Sequence, residues 1–291
     1  MKTVNIIGCG IVGKVLGRLF HSAALFEIQD ILNRSLESGQ KAAAFIGAGR
    51  PVREYAALRP ADLYLIAASD DAIASCAESL AASGLIAPGN VACHLSGALP
   101  STVLAPIREQ GGGAASVHPV KSFADPSASV ASFAGTWCGI EGDAAAVALL
   151  SDSFSAVGGK IFPVDPAFKT VYHAGSVLVC NYLTSLIEVG VRAYEKGGLP
   201  RKTALQVMEP LVRGTLDNIF RVGTVQALTG PIARGDAAVV AGQLAALDNW
   251  DSEIARIYRD LGRVAVELSR QRAVASAENL AAIEELFQGE G

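Results

Sequence analysis

The sequence predicts an α/β fold in which a doubly wound, mostly parallel sheet is followed by an all-α C-terminal domain. Three observations support this prediction. Residues 1–35 alternate strand, glycine loop, helix and strand. Short apolar runs then alternate with helical stretches as far as residue 165, and from residue 166 onward no strand pattern appears. In a chain of 291 residues, this change predicts two domains, 1–165 and 166–291.

The first strand, at residues 3–7, ends directly in the glycine loop Gly8-Cys9-Gly10-Ile11-Val12-Gly13. In this spacing the first glycine allows a tight turn, the second lets the backbone approach a pyrophosphate, and the third lets a helix pack close to the sheet. The following helix offers free N–H groups to the phosphates. The loop therefore predicts a Rossmann-type dinucleotide-binding domain, with cofactor contacts from Gly8, Gly10, Ile11, Val12 and Gly13.

The end of the second strand selects the cofactor. The strand at residues 26–32 ends at Asn33, and Arg34 and Ser35 follow, so the acid that normally holds the ribose 2′-OH of NAD is missing. A guanidinium beside a hydroxyl suits a 2′-phosphate, which predicts NADP. Two alternatives remain: Asp30 is the ribose acid, or Ser35 only caps the next helix and Arg34 is solvated.

Composition and charge argue against several classes of protein. The net charge of −4 and the lack of a basic cluster disfavour a nucleic-acid or membrane partner. The five cysteines contain no C-x-x-C pair, so we expect reduced thiols in a cytoplasmic protein and no metal site. The apolar run at residues 171–191 contains His173, Asn181 and Glu188, and we interpret it as a buried helix rather than a membrane span.

The remaining elements follow from hydrophobic periodicity. Buried strands are predicted at residues 63–68, 91–95, 114–117, 136–140 and 160–164. Helices are predicted at residues 72–83 and 100–109, between residues 140 and 160, and then at 166–196, 201–221, 236–247, 248–272 and 276–288.

Ligands of open α/β sheets bind at the carboxyl ends of the strands, so the residues at those ends are candidates. Cofactor contacts are expected from Ala68, Ser69, Asp70, Ser96 and Gly97. The serines and Asp70 are also good helix caps, whereas Gly97 suits the close approach of a nicotinamide ring. His118, which ends the next strand, is a candidate for catalysis or substrate binding, as Ser96 is for substrate binding, although such a histidine is often only packed.

Together these motifs resemble the NADP-dependent oxidoreductases of the 6-phosphogluconate dehydrogenase-like superfamily, in which a helical domain follows the Rossmann domain. Four segments are similar to one bacterial group whose C-terminal domain has no assigned function: residues 94–99, 116–119, 172–182 and 228–236. The resemblance covers nearly the whole chain and implies ketopantoate reduction as the most concrete activity. The superfamily also includes pyrroline-5-carboxylate reductases, which act on imines.

The resemblance also implies a catalytic lysine on the first helix after the sheet, with an asparagine one turn later. Lys169 matches the lysine, but the residue four positions on is His173, and Asn181 lies further along the helix. Lys169, Tyr172, His173 and Ser176 share one helix face, which favours the active cleft. We predict Lys169 as the proton donor, His173 as the second choice and His118 as the next. Tyr172 and Asn181 are candidates for substrate binding.

The predicted function is hydride transfer between NADPH and the C=O of a small oxo-acid such as ketopantoate. The alternatives are an imine reductase of the pyrroline-5-carboxylate type and a non-catalytic dinucleotide-binding protein. Polar residues on the helix that begins near Lys169 favour an enzyme, because they include possible proton donors.

The helical half also predicts a homodimer. The run at residues 166–196 is apolar on nearly all sides, more than one domain face can cover. The segment at residues 229–236 is a candidate for the mouth of the substrate site, where Arg234 would bind a carboxylate. An ordinary connection between helices is the alternative for this segment.

Overall fold

The computed structural model describes residues 1–288, and the expected α/β fold is confirmed. One eight-stranded sheet has the strand order β3-β2-β1-β4-β5-β6-β7-β8. Its strands are β1 Lys2–Ile7, β2 Phe26–Leu32, β3 Arg50–Val52, β4 Leu63–Ile66, β5 Val91–His94, β6 Gly113–Pro119, β7 Trp137–Gly142 and β8 Lys160–Pro163. Neighbouring strands pair in parallel, except that β7 runs antiparallel to β6.

The helices are α1 Ile11–Ser22, α2 Leu36–Ile46, α3 Asp70–Ala82, α4 Ala105–Glu109, α5 Pro126–Ala131, α6 Ala144–Ala156, α7 Lys169–Lys196, α8 Arg201–Ala227, α9 Pro231–Arg234, α10 Ala237–Asp248, α11 Ser252–Arg272 and α12 Ala277–Leu286. Short 3₁₀ turns occur at Tyr55–Ala57, Ser101–Leu104 and Pro166–Phe168. The predicted strands are all present. The short edge strand β3, which includes Pro51, was not predicted.

The sheet is covered by helices on both faces, which explains its continuous apolar strands. All four residues of β4 are buried. Leu63 and Leu65 belong to one apolar cluster, whereas Tyr64 and Ile66 belong to another, because successive side chains of a strand point to opposite faces. The strand order reverses between β1 and β4, because β2 and β3 lie on one side of this pair and β5 to β8 lie on the other. Since β1 and β4 are parallel, the loops that follow them lie at the same edge of the sheet.

The described chain forms two compact units, Met1–Asn181 and a helical unit that begins at Tyr182. The strands end at Pro163, close to the change of pattern in the sequence, but the first unit also includes the first part of α7. In the second unit, α10, α11 and α12 pack around Phe287, which is fully buried. Helix α8 kinks at Gly223, where φ is 80°, close to its predicted end at residue 221.

Helix α7 corrects one expectation, because it is not buried within the chain. Residues Pro166–Lys196 are long and apolar enough to cross a membrane by length and composition, and only 6% of their most apolar stretch is buried. Val171 is 72% exposed and Val179 is 74% exposed. The charged residues Lys169, Glu188 and Lys196 lie on the same helix, so composition alone is weak support for a membrane span.

Candidate functional site

The glycine loop between β1 and α1 is shaped by close approach. Gly8 has φ +76°, and a Cβ there would lie 2.7 Å from the Cα of Ala68, so only glycine fits. A Cβ on Gly13 would lie 3.0 Å from the Cβ of Ala67, which is the close contact of helix and sheet that the sequence predicts. A Cβ on Gly10 would meet nothing within 4 Å, so this part of the loop is open.

Asn33 fixes the same loop from the end of β2. The backbone N–H of Cys9 donates to Asn33 Oδ1 at 2.7 Å, and Asn33 Nδ2 donates to the hydroxyl of Ser38 at 2.9 Å. Asn33 is only 7% exposed. Its amide therefore positions the loop, and the cofactor contact that the sequence suggested for Asn33 stays a prediction.

A cavity of about 520 Å³ opens beside the loop. Among the predicted cofactor residues, it is lined by Gly8, Gly10, Asn33, Arg34, Ser35, Ala68 and Ser69. Ile11, Val12, Gly13, Asp70, Ser96 and Gly97 lie outside this lining. The lining also includes residues that no sequence motif indicated: Ser38, Arg53, Tyr55, Asp71 and Cys76.

Two guanidinium groups line this cavity without an ion pair. Arg34 and Arg53 are exposed, and within residues 1–288 neither makes a side-chain hydrogen bond or a salt bridge. Ser35 caps α2 by accepting from the N–H of Ser38 at 3.2 Å, and it also lines the cavity, so its predicted cofactor contact stays a prediction. Unpaired guanidinium groups are suited to a phosphate.

Asp30, the alternative candidate for binding the ribose 2′-OH, is hydrogen-bonded to two arginines instead. Its carboxylate is completely buried and accepts from Arg50 Nε at 2.8 Å and from Arg59 Nη2 at 2.8 Å. Burial opposes ionisation, but the hydrogen bonds from Arg59 and Arg50 hold the pKa of Asp30 below its usual range. A carboxylate with these partners has no free edge for a ribose hydroxyl, so the alternative is wrong.

A second group of polar residues lies at the ends of β4 and β5. The hydroxyl of Ser96 donates to Asp70 Oδ2 at 2.8 Å and accepts from the N–H groups of Ala98 and Leu99 at 3.1 and 3.0 Å. Ser96 is 5% exposed. The serine therefore caps the turn after β5, and Asp70 ties this turn to the residues beside the cavity, since Ser69 and Asp71 both line it.

His118, Tyr172 and His173 form an aromatic cluster above Gly97. His118 Nδ1 lies 2.8 Å from the hydroxyl of Tyr172, and the two histidine rings are 5.3 Å apart between centroids. A Cβ on Gly97 would lie 2.3 Å from His173 Nδ1 and 2.8 Å from His118 Nε2. Gly97 therefore lets two imidazoles close over the backbone, a reason for glycine that the sequence did not reveal.

Among the described residues, one polar atom of this cluster lacks a hydrogen-bond partner. His173 Nδ1 is buried without a hydrogen-bond partner among the described residues. The hydrogen bond between Tyr172 and His118 Nδ1 leaves Nε2 of His118 for another group. Burial lowers the pKa of His118 to about 4, with His173 and Lys169 acting in the same direction and Asp70 opposing. Burial raises the pKa of Tyr172 to about 12.

Lys169 is the most deeply placed of the predicted residues. Its Nζ donates to the hydroxyl of Ser116 and lies 3.1 Å from Oε1 of Glu141. The same Glu141 oxygen accepts from the N–H of Ser101 at 2.7 Å. Burial lowers the pKa of Lys169, and the charge of Glu141 opposes this shift. Nothing in the sequence marks Glu141 as a site residue, because a lone acid in a strand is usually at its solvent face.

Two further predicted substrate residues are Asn181 and Arg234. Asn181 is exposed and lies about 18 Å further along α7 than Lys169, given the rise of a helix. Arg234 is in the helical unit, where its guanidinium contacts Asp236 at 2.7 Å. Both roles remain predictions. Within residues 1–288, no group of three or more His, Cys, Asp or Glu side chains is placed to hold a metal ion.

Comparison with known families matches both parts of the chain. Residues 1–119 match the model of a Rossmann-like domain, and residues 136–265 match a domain of unknown function, DUF2520. The domain combination expected from the sequence motifs is therefore present. No curated protein matches the chain in sequence.

Solved structures share the fold over most of the chain. A protein from Thermotoga maritima is 23% identical with a TM-score of 0.74, covering 92% of this chain and 99% of its own. A proposed NADP oxidoreductase from Bacteroides fragilis is 23% identical with a TM-score of 0.71, covering 91% and 98%. Pyrroline carboxylate reductase from Plasmodium falciparum, solved with NADP bound, is 15% identical with a TM-score of 0.56, covering 94% and 98%. At these identities the similarity shows a common fold.

Proposed function

We propose that this chain, a member of the group in which a Rossmann-like domain precedes a DUF2520 domain, is an NADPH-dependent reductase of a small oxo-acid. One observation carries the proposal. The open cofactor cavity with its unpaired guanidiniums lies next to a cluster of imidazole and phenol groups, linked to it through Asp70 and Ser96. Both parts of a reductase, a dinucleotide site and a possible proton donor, are thus in one compact unit.

The residues of the cavity fit NADP. The open face of Gly10 leaves room for a pyrophosphate beside the N-terminus of α1, where free N–H groups stabilise negative charge. Arg34, Arg53 and the hydroxyl of Ser38 lie in the same lining, and they suit the additional phosphate of NADP rather than a ribose diol. The B. fragilis and P. falciparum proteins, by their names, use or bind NADP, which supports the same cofactor here.

In the proposed reaction, bound NADPH supplies a hydride to the carbonyl carbon of the substrate. As the C=O bond is reduced, the oxygen gains negative charge and needs a proton from a donor within hydrogen-bond reach. We assign this proton to His173, whose half-buried ring meets that of His118 at the strand ends, because burial lowers the pKa of His118 to about 4 and leaves that imidazole neutral near pH 7. The ammonium of Lys169 is already used by Glu141 and Ser116. The products are a hydroxy acid and the oxidised cofactor.

An NADPH-oxidation screen tests the substrate class. The panel should include small 2-oxo acids, with ketopantoate among them, and cyclic imines such as pyrroline-5-carboxylate. Turnover of an oxo-acid supports the proposal. Turnover of imines only would assign the chain to C=N reduction, the activity named for the P. falciparum relative in fold. Tight NADPH binding with no turnover would support a non-catalytic binding protein.

Replacing Arg34 or Arg53 with alanine is expected to weaken NADP binding about tenfold or more, because a charged hydrogen bond to phosphate contributes about 1.5–3 kcal/mol. NAD affinity should change little in either variant. Fluorescence titration of both cofactors measures the effect. Lys41→Ala is the matched control, since Lys41 is an exposed cation on α2 outside the cavity. Equal affinity of the native chain for NAD and NADP would contradict the assignment.

We also propose that the chain forms a homodimer through the exposed apolar side of α7. Val171, Leu178 and Val179 are 72%, 59% and 74% exposed, and on one helix they form more apolar surface than a soluble monomer usually leaves open. A second copy supplies the same surface and covers it by two-fold symmetry. Light scattering at micromolar concentration is expected to give twice the chain mass of 30.0 kDa.

Val179→Glu should shift this equilibrium to the monomer, because it places a charge in the proposed interface. Val179→Ala keeps the surface apolar and is the control. A native chain that is monomeric at micromolar concentration would rule out the dimer.

A further inference from the structure

The first turn of α7 is tied to the sheet by two buried charges. The side chains of Lys169 and Glu141 are 1% and 4% exposed, with Nζ and Oε1 3.1 Å apart. Lys169 also donates to Ser116 of β6, and Glu141 of β7 also accepts from the N–H of Ser101. A buried ion pair requires such additional hydrogen bonds, because they offset the cost of removing both charges from water.

We infer that Lys169 and Glu141 form a buried anchor that positions Tyr172 and His173 over His118, and that Lys169 is not the proton donor. This inference rests on the proposed reductase function. The anchor, meaning the ion pair of Lys169 and Glu141, acts through the helix, since Tyr172 and His173 follow Lys169 by one turn. A reductase needs its proton donor held within a fraction of an ångström of the productive position.

A third contact supports the positioning role. The hydroxyl of Thr170 donates to the carbonyl of Ala98 at 3.3 Å, immediately after the Gly97 backbone on which the histidine rings rest. The start of α7 is therefore attached to β6, to β7 and to the turn after β5. A change at the anchor would shift the histidines relative to Gly97, where the fit leaves no room for a Cβ.

The anchor also sets the charge around the cluster. Lys169 lies near His118 and near His94, and its positive charge lowers the pKa of both histidines in addition to burial. The groups facing His118 are Lys169, Tyr172 and His173 from α7 and Asp70 from α3. His94 of β5 is connected to Ser116, the other partner of Lys169, at 3.4 Å. Removing the positive charge should therefore raise the pKa of His118.

Two variants separate an anchor from a proton donor: Lys169→Met and the double variant Lys169→Met with Glu141→Gln. Lys169→Met leaves the Glu141 carboxylate buried without its cation, so we expect a fall in Tm of roughly 10 °C and a loss of turnover of about 100-fold or more. The double variant has no buried charge, and we expect it to regain most of the lost Tm and at least tenfold in turnover over Lys169→Met. NADPH affinity should stay close to that of the native chain in the double variant.

Lys41→Met is the control for the substitution itself, because Lys41 pairs with Glu37 at the surface with 68% and 75% exposure. Its Tm should change by less than about 2 °C. If the double variant regains its Tm but stays as inactive as Lys169→Met, Lys169 is the proton donor and the inference is overturned.

An NMR titration gives a readout that needs no substrate. The chain has four histidines, and the His118 signal is identified by its loss in His118→Ala. The native chain should give a pKa of about 4 for His118, and this pKa should be higher in the double variant, because the charge of Lys169 is one of the causes that lower it. An unchanged value would contradict the charge effect of the anchor. If the native chain turns over no substrate, the proposed function fails, while Tm and this titration still decide whether the anchor exists.

Discussion

Replacing His173 with alanine is expected to lower turnover by about 10²–10⁴-fold, the range typical for loss of a general acid. His173 sits one turn beyond Lys169, its ring packs against that of His118, and its buried Nδ1 has no hydrogen-bond partner within residues 1–288. NADPH affinity should change little, because His173 does not line the cofactor cavity. Steady-state NADPH oxidation and a fluorescence titration measure the two effects separately.

His21→Ala is the matched control, since this histidine is exposed at the end of α1. Gly97→Ala disturbs the same cluster from the backbone on which the histidine rings rest. Its new Cβ would collide with His173 Nδ1 at 2.3 Å and with His118, so at least one ring must move. We expect a comparable loss of turnover. If His173→Ala and Gly97→Ala both keep near-native turnover, the proton comes from outside this cluster.

The fold follows closely from the sequence because its signals are local. The central parallel strands β4 and β5 are short, mainly apolar runs in which every residue is buried, and β1 ends directly in the glycine loop. β3 was missed because it has only three residues and contains Pro51. Periodicity also could not show that α7 stays exposed, since an apolar helix has the same pattern whether its own chain or a second copy covers it.

The residues of the candidate site likewise include some with a local sequence signal and some without one. The glycine loop and Arg34 were predicted because the cofactor is bound by consecutive residues with a fixed spacing. Arg53 and Glu141 were not, since each reaches its position through pairing of strands distant in sequence. The sequence placed Lys169 on the first helix after the sheet, but only tertiary packing shows that its ammonium points to Glu141. A sequence pattern gives the face of a helix and not the partner beneath it.

The second large effect expected is a loss of stability in mild acid. Burial lowers the pKa of His94 and of His118 from 6.5 to about 4 in the folded chain. Between these values the unfolded chain binds protons that the folded chain does not, so the free energy of unfolding falls as the pH falls. Above pH 6.5 the two buried histidines do not reduce the free energy of unfolding. It decreases by up to about 3 kcal/mol for each histidine as the pH approaches 4.

Protonation of carboxylates does not account for a loss of stability in the upper part of the pH range between 6.5 and 4. Asp30, whose arginine partners hold its pKa below 3.8, loses its contribution only at lower pH. His94 is specifically neutral because its Nδ1 accepts from the N–H of Ser96 at 3.2 Å, while Nε2 faces the carbonyl of Pro100 at 3.2 Å. Protonation of Nδ1 would break the first of these contacts.

Urea unfolding followed by circular dichroism at pH 7.5, 6.5, 5.5 and 5.0 measures the effect. We expect a slope approaching about 1.4 kcal/mol per pH unit for each histidine that stays neutral in the folded chain. His118→Asn should reduce the slope by about half, because it removes one of the two buried histidines. Stability that is constant between pH 7.5 and 5.0 would mean that His94 and His118 take up protons equally in the folded and unfolded chain, and that neither is held neutral by burial beneath the proposed active site.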